Sequence, residues 1–89
     1  MATTLNYTLP NAWTAIAGTG DVLATVGHPS EFNAHWAVST TGTPAPTLKG
    51  HPFGGDLPMT LQASEVLYLK AIPSAGIEIV LTADAPQVS

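Results

Sequence analysis

The stretch that decides the fold is Val66-Leu67-Tyr68-Leu69-Lys70-Ala71-Ile72-Pro73-Ser74-Ala75-Gly76-Ile77-Glu78-Ile79-Val80-Leu81. Apolar residues recur at every second position in both arms. Leu67, Leu69 and Ala71 share one face, opposite Val66, Tyr68, Lys70 and Ile72. Ile77, Ile79 and Leu81 alternate with Glu78 and Val80. Side chains on a strand point to opposite faces in turn, so this period of two predicts β-strands over Val66–Ile72 and Ile77–Leu81. The Pro73-Ser74-Ala75-Gly76 segment reads as a turn, and the two arms as a hairpin paired through it.

Upstream, the same pattern returns in shorter pieces. Leu5, Tyr7 and Leu9 alternate with Asn6 and Thr8, ahead of a turn at Pro10-Asn11. Strands are expected at Trp13–Ala17, stopped by Gly18-Thr19-Gly20-Asp21, at Val22–Val26, and at His35–Thr40. Met59 and Leu61 alternate with Thr60 and Gln62. Thr41–Thr47 is a polar loop, and Gly50–Pro58 an irregular segment with a brief extended piece near Leu48. Eight prolines and eight glycines punctuate the chain at intervals too short for helices. The best helical window, Pro29–Trp36 with Ser30 as N-cap, suits a single turn. Short strands separated by turn signals predict a small antiparallel β-sandwich or jelly-roll-like barrel with Pro/Gly-rich loops. Residues 1–89 read as one such domain, with Asp84–Ser89 a polar tail expected to fray.

Composition bounds what such a domain can do. The chain has 89 residues and no cysteine, so neither disulfides nor thiolate-held zinc contribute. A domain of this size buries only about 60–65% of the surface its unfolded chain exposes, and partner subunits are a common remedy. Charged residues are 9% of the chain, against roughly 25% in an ordinary soluble domain. Hydrophobic residues are 45% and the mean hydropathy is +0.24. Part of the outside is therefore expected to be an interface, in a homo-oligomer. A net charge of −4 and only two basic residues, Lys49 and Lys70, argue against direct nucleic-acid binding. The start at Met1 carries neither a basic nor an apolar leader, and no apolar run approaches the roughly 20 residues of a membrane span. The expectation is a soluble protein made in the cytoplasm.

Candidate chemistry is sparse. His28, His35 and His51 have no metal-ligand spacing, and His28 and His51 each precede a proline, which favours extended loop edges. A third reading, a small metal-dependent enzyme, would need all three histidines to converge on one ion. No serine or threonine sits in a nucleophile elbow. Asp21, Glu31, Asp56, Glu65, Glu78 and Asp84 are scattered and mostly flank turns, where carboxylates cap backbone amides. Gly18-Thr19-Gly20 and Gly54-Gly55 lack the context of phosphate loops and read as tight turns. No catalytic residue, metal ligand or cofactor site is assigned. Among the aromatics, Trp36 and Tyr68 are expected in a core or subunit interface, and Trp13 is the candidate for exposure.

The order of features from Trp13 onwards carries a resemblance. Thr40-Thr41-Gly42-Thr43-Pro44-Ala45-Pro46 precedes Gly50-His51-Pro52-Phe53 and Leu61-Gln62-Ala63-Ser64-Glu65. Val66-Leu67-Tyr68-Leu69-Lys70-Ala71 and Ala75-Gly76-Ile77-Glu78-Ile79-Val80-Leu81-Thr82 close the series. Over about three quarters of the chain it resembles a loose class of small virion structural proteins of tailed bacteriophages. The resemblance implies a capsid decoration (cement) subunit, or a small head-fibre or tail domain, located in the virion and commonly trimeric. The implied partner is a major capsid or other virion protein. Core positions are expected at Trp36, Val38, Leu67, Leu69, Ile77 and Ile79. The expected interface residues are Trp13, Thr43, Pro44, Pro46, His51, Pro52 and Phe53, the loops of which would project towards neighbours. The alternative is a glycan- or receptor-binding module of a phage fibre or tail, which requires Trp13 or Trp36 exposed in a groove with polar neighbours.

Overall fold

A computed structural model describes residues 2–26, 34–72 and 76–88. The strands are β1 (Thr3–Leu9), β2 (Thr14–Ala17), β3 (Gly20–Val26), β4 (Ala34–Ser39), β5 (His51–Phe53), β6 (Asp56–Leu61), β7 (Val66–Ala71) and β8 (Ile77–Ala83). No helix occurs among the described residues, and so none long and apolar enough to cross a membrane. The strands form two four-stranded antiparallel sheets, ordered β1-β8-β3-β6 and β2-β7-β4-β5. Here they are called the first and second sheet.

The wiring follows one rule. β1 pairs with β8, β2 with β7, β3 with β6 and β4 with β5. The chain thus doubles back at the β4–β5 connection, and the doubled ribbon rolls up until β3 meets β8 and β4 meets β7. This is a jelly roll, the double-sheet solution in the predicted fold class. Its extents, 31 × 26 × 19 Å, match two sheets packed about 10 Å apart with side chains on either side.

That rule overturns the predicted hairpin. β7 and β8 lie in different sheets: β7 sits between β2 and β4, and β8 between β1 and β3. Alternation fixes which face of a strand is buried, but it carries no information about which strand lies alongside. Residues 73–75 of the predicted Pro73–Gly76 turn lie outside the described residues, as do residues 29–33 of the helical window Pro29–Trp36; Ala34–Trp36 belong to β4.

The segment Gly50–Pro58 is also corrected. It holds β5 and the first half of β6, and its prolines fit because each lies on a sheet edge. Pro52 is in β5 at the rim of the second sheet and Pro58 in β6 at the rim of the first. An edge strand can lack an N–H on its open side without breaking a ladder.

Between the sheets lies one core. Leu9, Ile16, Val26, Leu67, Leu69, Ile79 and Leu81 are its largest fully buried side chains. Of the expected core positions, Leu67, Leu69 and Ile79 are at its centre, and Trp36 and Ile77 are half-buried against it. Val38 departs from expectation, being 38% exposed near the end of β4. Of Asp84–Ser89, read from sequence as a fraying tail, Asp84 N–H is bonded to the Asp21 carbonyl of β3, and residues 85–87 are bonded to β2 and the adjoining Gly18. Gly18 N–H donates to the Ala85 carbonyl at 2.8 Å, Gln87 N–H donates to that of Ile16 at 2.8 Å, and Ala17 bridges Pro86.

Candidate interaction surface

The outer face of the second sheet is not bare. On β4 and β7, the residues facing away from the main core are His35, Ala37, Ser39, Val66, Tyr68 and Lys70. Loop residues 48–50 lie across them. The His35 ring, only 8% exposed, places Nδ1 2.7 Å from the Lys49 carbonyl oxygen, so Nδ1 carries the hydrogen and donates it. Lys70 Nζ donates to the Leu48 carbonyl at 3.2 Å and sits 4.6 Å from the Trp13 ring centroid, within cation–π range. Leu48 N–H closes a turn on the Ala45 carbonyl at 2.9 Å.

Trp13 is the anchor of this layer, and it corrects the expectation that it is exposed. It is 8% exposed and forms a second small cluster with Ala37 and Tyr68, flanked by Ala15 and Val66. The chain reaches it through Pro10-Asn11, which is tied to the end of β7. Ala71 N–H donates to the Pro10 carbonyl at 2.9 Å and Asn11 Nδ2 to that of Ala71 at 2.6 Å. Among the described residues the buried Trp13 Nε1–H finds no hydrogen-bond partner, at a cost of about 1–3 kcal/mol.

The predicted interface residues fall into two groups. Trp13, Thr43, Pro44 and Pro46 come together, with Asn11, Ala12 and Lys70, around a cleft of about 180 Å³. His51, Pro52 and Phe53 form β5 at the sheet edge. There the His51 ring tilts against that of Trp36, centroids 4.7 Å apart, and Phe53 packs on the core. Trp36 and His51 help to line a wider, shallower groove of about 480 Å³ with Val38, Leu48 and Lys49. Lys70, Asn11 and Gly50 were missed. The available signal was Lys70 itself, a lone cation on the Tyr68 face of a strand otherwise apolar.

The described carboxylates are mostly engaged in structure. Asp21 accepts from the Thr60 hydroxyl at 2.9 Å, Asp56 from the Thr25 hydroxyl at 3.0 Å, and Asp84 from the Asp21 N–H at 3.0 Å. Glu65 accepts from the Gln62 N–H at 2.6 Å across a turn in which Ser64 takes a positive φ of 70°. Among the described residues no three His, Asp or Glu side chains gather into a metal-binding group. His28 and Glu31 lie outside the described residues.

Compared with protein-family models, curated proteins and solved structures, the chain matches none.

Proposed function

We propose that this protein is a structural subunit of a tailed-bacteriophage virion, a capsid decoration (cement) protein that oligomerises and stabilises the shell by interfacial contacts. The observation that carries the assembling role is the loop 40–50. It is held against the second sheet through the Leu48 and Lys49 carbonyls and closed on itself by the Leu48–Ala45 turn, yet it presents Thr43, Pro46 and Leu48 to solvent, Leu48 at 45% exposure. A pre-ordered loop loses little entropy when it docks, so modest apolar contact suffices for affinity. The virion assignment rests on the resemblance of the segment order and on the jelly-roll wiring, which viral shell domains share with lectins and cupins. That part is an argument from likeness of fold.

The test is quantitative mass spectrometry of phage particles purified from the host that yields this sequence. The expected result is this chain in fixed stoichiometry with the shell protein, reduced severalfold in particles assembled with Leu48→Asp. Its absence from particles overturns the reading.

A glycan-binding module is the second reading, favoured by one observation: half-buried Trp36 beside His51 and Lys49 in the larger groove. It predicts a Trp36-dependent change in tryptophan fluorescence on titration with oligosaccharides.

A further inference from the structure

A jelly roll with two open sheets has four edge strands, and an unprotected edge is a template for pairing with another chain. Three of the four are closed here. β6 carries Pro58. β5 has three residues, one of them Pro52. β2 has four residues and a register shift between Ala15 and Ala17, and its open side is taken by residues 85–87.

β1 is different. Its seven residues, Thr-Thr-Leu-Asn-Tyr-Thr-Leu, contain no proline and no charge. They pair with β8 in unbroken register from Thr3↔Ala83 to Leu9↔Ile77. Among the described residues no other backbone group bonds to Thr3–Thr8. Shortness, lysine, proline and a bulge, the usual safeguards of an edge, are absent from β1, and no covering segment occurs among the described residues.

We infer that β1 pairs antiparallel with β1 of a second copy of this chain, about a two-fold axis at Asn6. That register sets Asn6 opposite Asn6 of the partner subunit, Leu5 opposite Tyr7 of the partner subunit, and Thr4 opposite Thr8 of the partner subunit. The inner face of one first sheet then continues into the inner face of the other. Leu5 and Tyr7, half-buried at the rim of the core, gain apolar neighbours across the junction. A second copy fits because β1 complements itself. The strand is neutral, so two copies of a chain of net charge −4 meet there without setting like charges together, and the inner-face Leu5 and Tyr7 each find an apolar side chain opposite. The two-fold uses up both free edges, so the assembly closes at two along this edge. The inference names the partner for the assembling half of the function proposed above and is independent of the virion assignment.

The experiment is light scattering over a concentration series on the wild-type protein, Asn6→Lys, Thr8→Lys and the control Leu23→Lys, with amide hydrogen exchange on the wild type. Asn6 and Thr8 are exposed on β1, and Leu23 is exposed on the outer face of the same sheet away from the edge. The expected wild-type mass is twice the 9.1 kDa of one chain. Both β1 variants should halve it and Leu23→Lys should leave it unchanged. Alternate β1 amides should exchange faster on dilution, in step with the loss of mass. A wild-type monomer at every concentration overturns the inference, as does a trimer, or a dimer that survives both β1 lysines. If both variants fail to fold, exchange in the wild type decides: β1 amides indifferent to dilution overturn it. A monomer still found in virions would sink this pairing alone, and a β1 dimer absent from virions would sink only the virion role.

Discussion

The ring edge of Trp13 rests on the backbone of Gly50. A Cβ at residue 50 would stand 2.5 Å from Trp13 Cη2 and 2.9 Å from the Trp36 carbonyl oxygen, on a backbone whose φ is +74°. Glycine is required there twice over, for its conformation and for the space its missing side chain leaves to the indole.

Gly50→Ala should therefore cost about 2–6 kcal/mol, the sum of a left-handed non-glycine backbone and an overpacked contact. Gly42 also has a positive φ, +102°, but nothing lies within 4 Å of its Cβ position. Gly42→Ala should cost only about 1–2 kcal/mol. Urea unfolding of both variants checks the difference, and equal losses would show that Trp13 does not sit on Gly50.

His35 ties the loop to the sheet through one hydrogen bond. Its replacement by Phe keeps ring volume but leaves the Lys49 carbonyl without its donor, at a cost of about 1–3 kcal/mol. Amide exchange at residues 45–50 should accelerate while β7 and β8 stay protected. Unchanged exchange in the loop would remove the tether from the account of docking.

Core substitutions should separate by burial. Leu69→Ala should lose about 2–5 kcal/mol, because Leu69 is fully buried between the sheets. Leu69→Asp should prevent folding by placing an unpaired charge there. Val38→Ala, at a partly exposed site, should lose less than about 1 kcal/mol. Circular dichroism melts give the ranking, and a larger loss at Val38 than at Leu69 would contradict the sandwich.

Removal of residues 85–89 takes two backbone hydrogen bonds from β2 and opens its edge. The expected loss is about 1–3 kcal/mol at 0.5–1.5 kcal/mol per bond, with concentration-dependent turbidity on heating. A truncated chain as stable and as soluble as the full one would show that these residues contribute nothing to the fold.

Much of the strand pattern was legible because it depends on neighbours in sequence. Leu5, Tyr7 and Leu9, Val22, Ala24 and Val26, and Ile77, Ile79 and Leu81 all turn to the core as their period of two requires. β5 and the first half of β6 were hidden by Pro52 and Pro58, which read as breakers until their place at an edge is known, whereas Met59–Leu61 was legible as a strand from its alternation. The cleft was half legible. Trp13, Thr43, Pro44 and Pro46 were singled out for composition, and the structure brings them to one place. Lys70 stood out only as a lone cation in an apolar strand, and the partners of Lys70 and Gly50 could not be read, because they come from distant parts of the chain.

Alternation, turn residues, the scarcity of charge and the lack of cysteine determined an all-β sandwich-like domain, since each is a property of residues close in sequence or of their sum. Tertiary structure decided everything that depends on who lies beside whom: β7 and β8 in opposite sheets, Trp13 covered by Gly50, β2 closed by the C-terminal residues, and β1 left open. Those pairings are fixed by burying all the apolar faces at once, a condition on the whole chain that no local stretch contains.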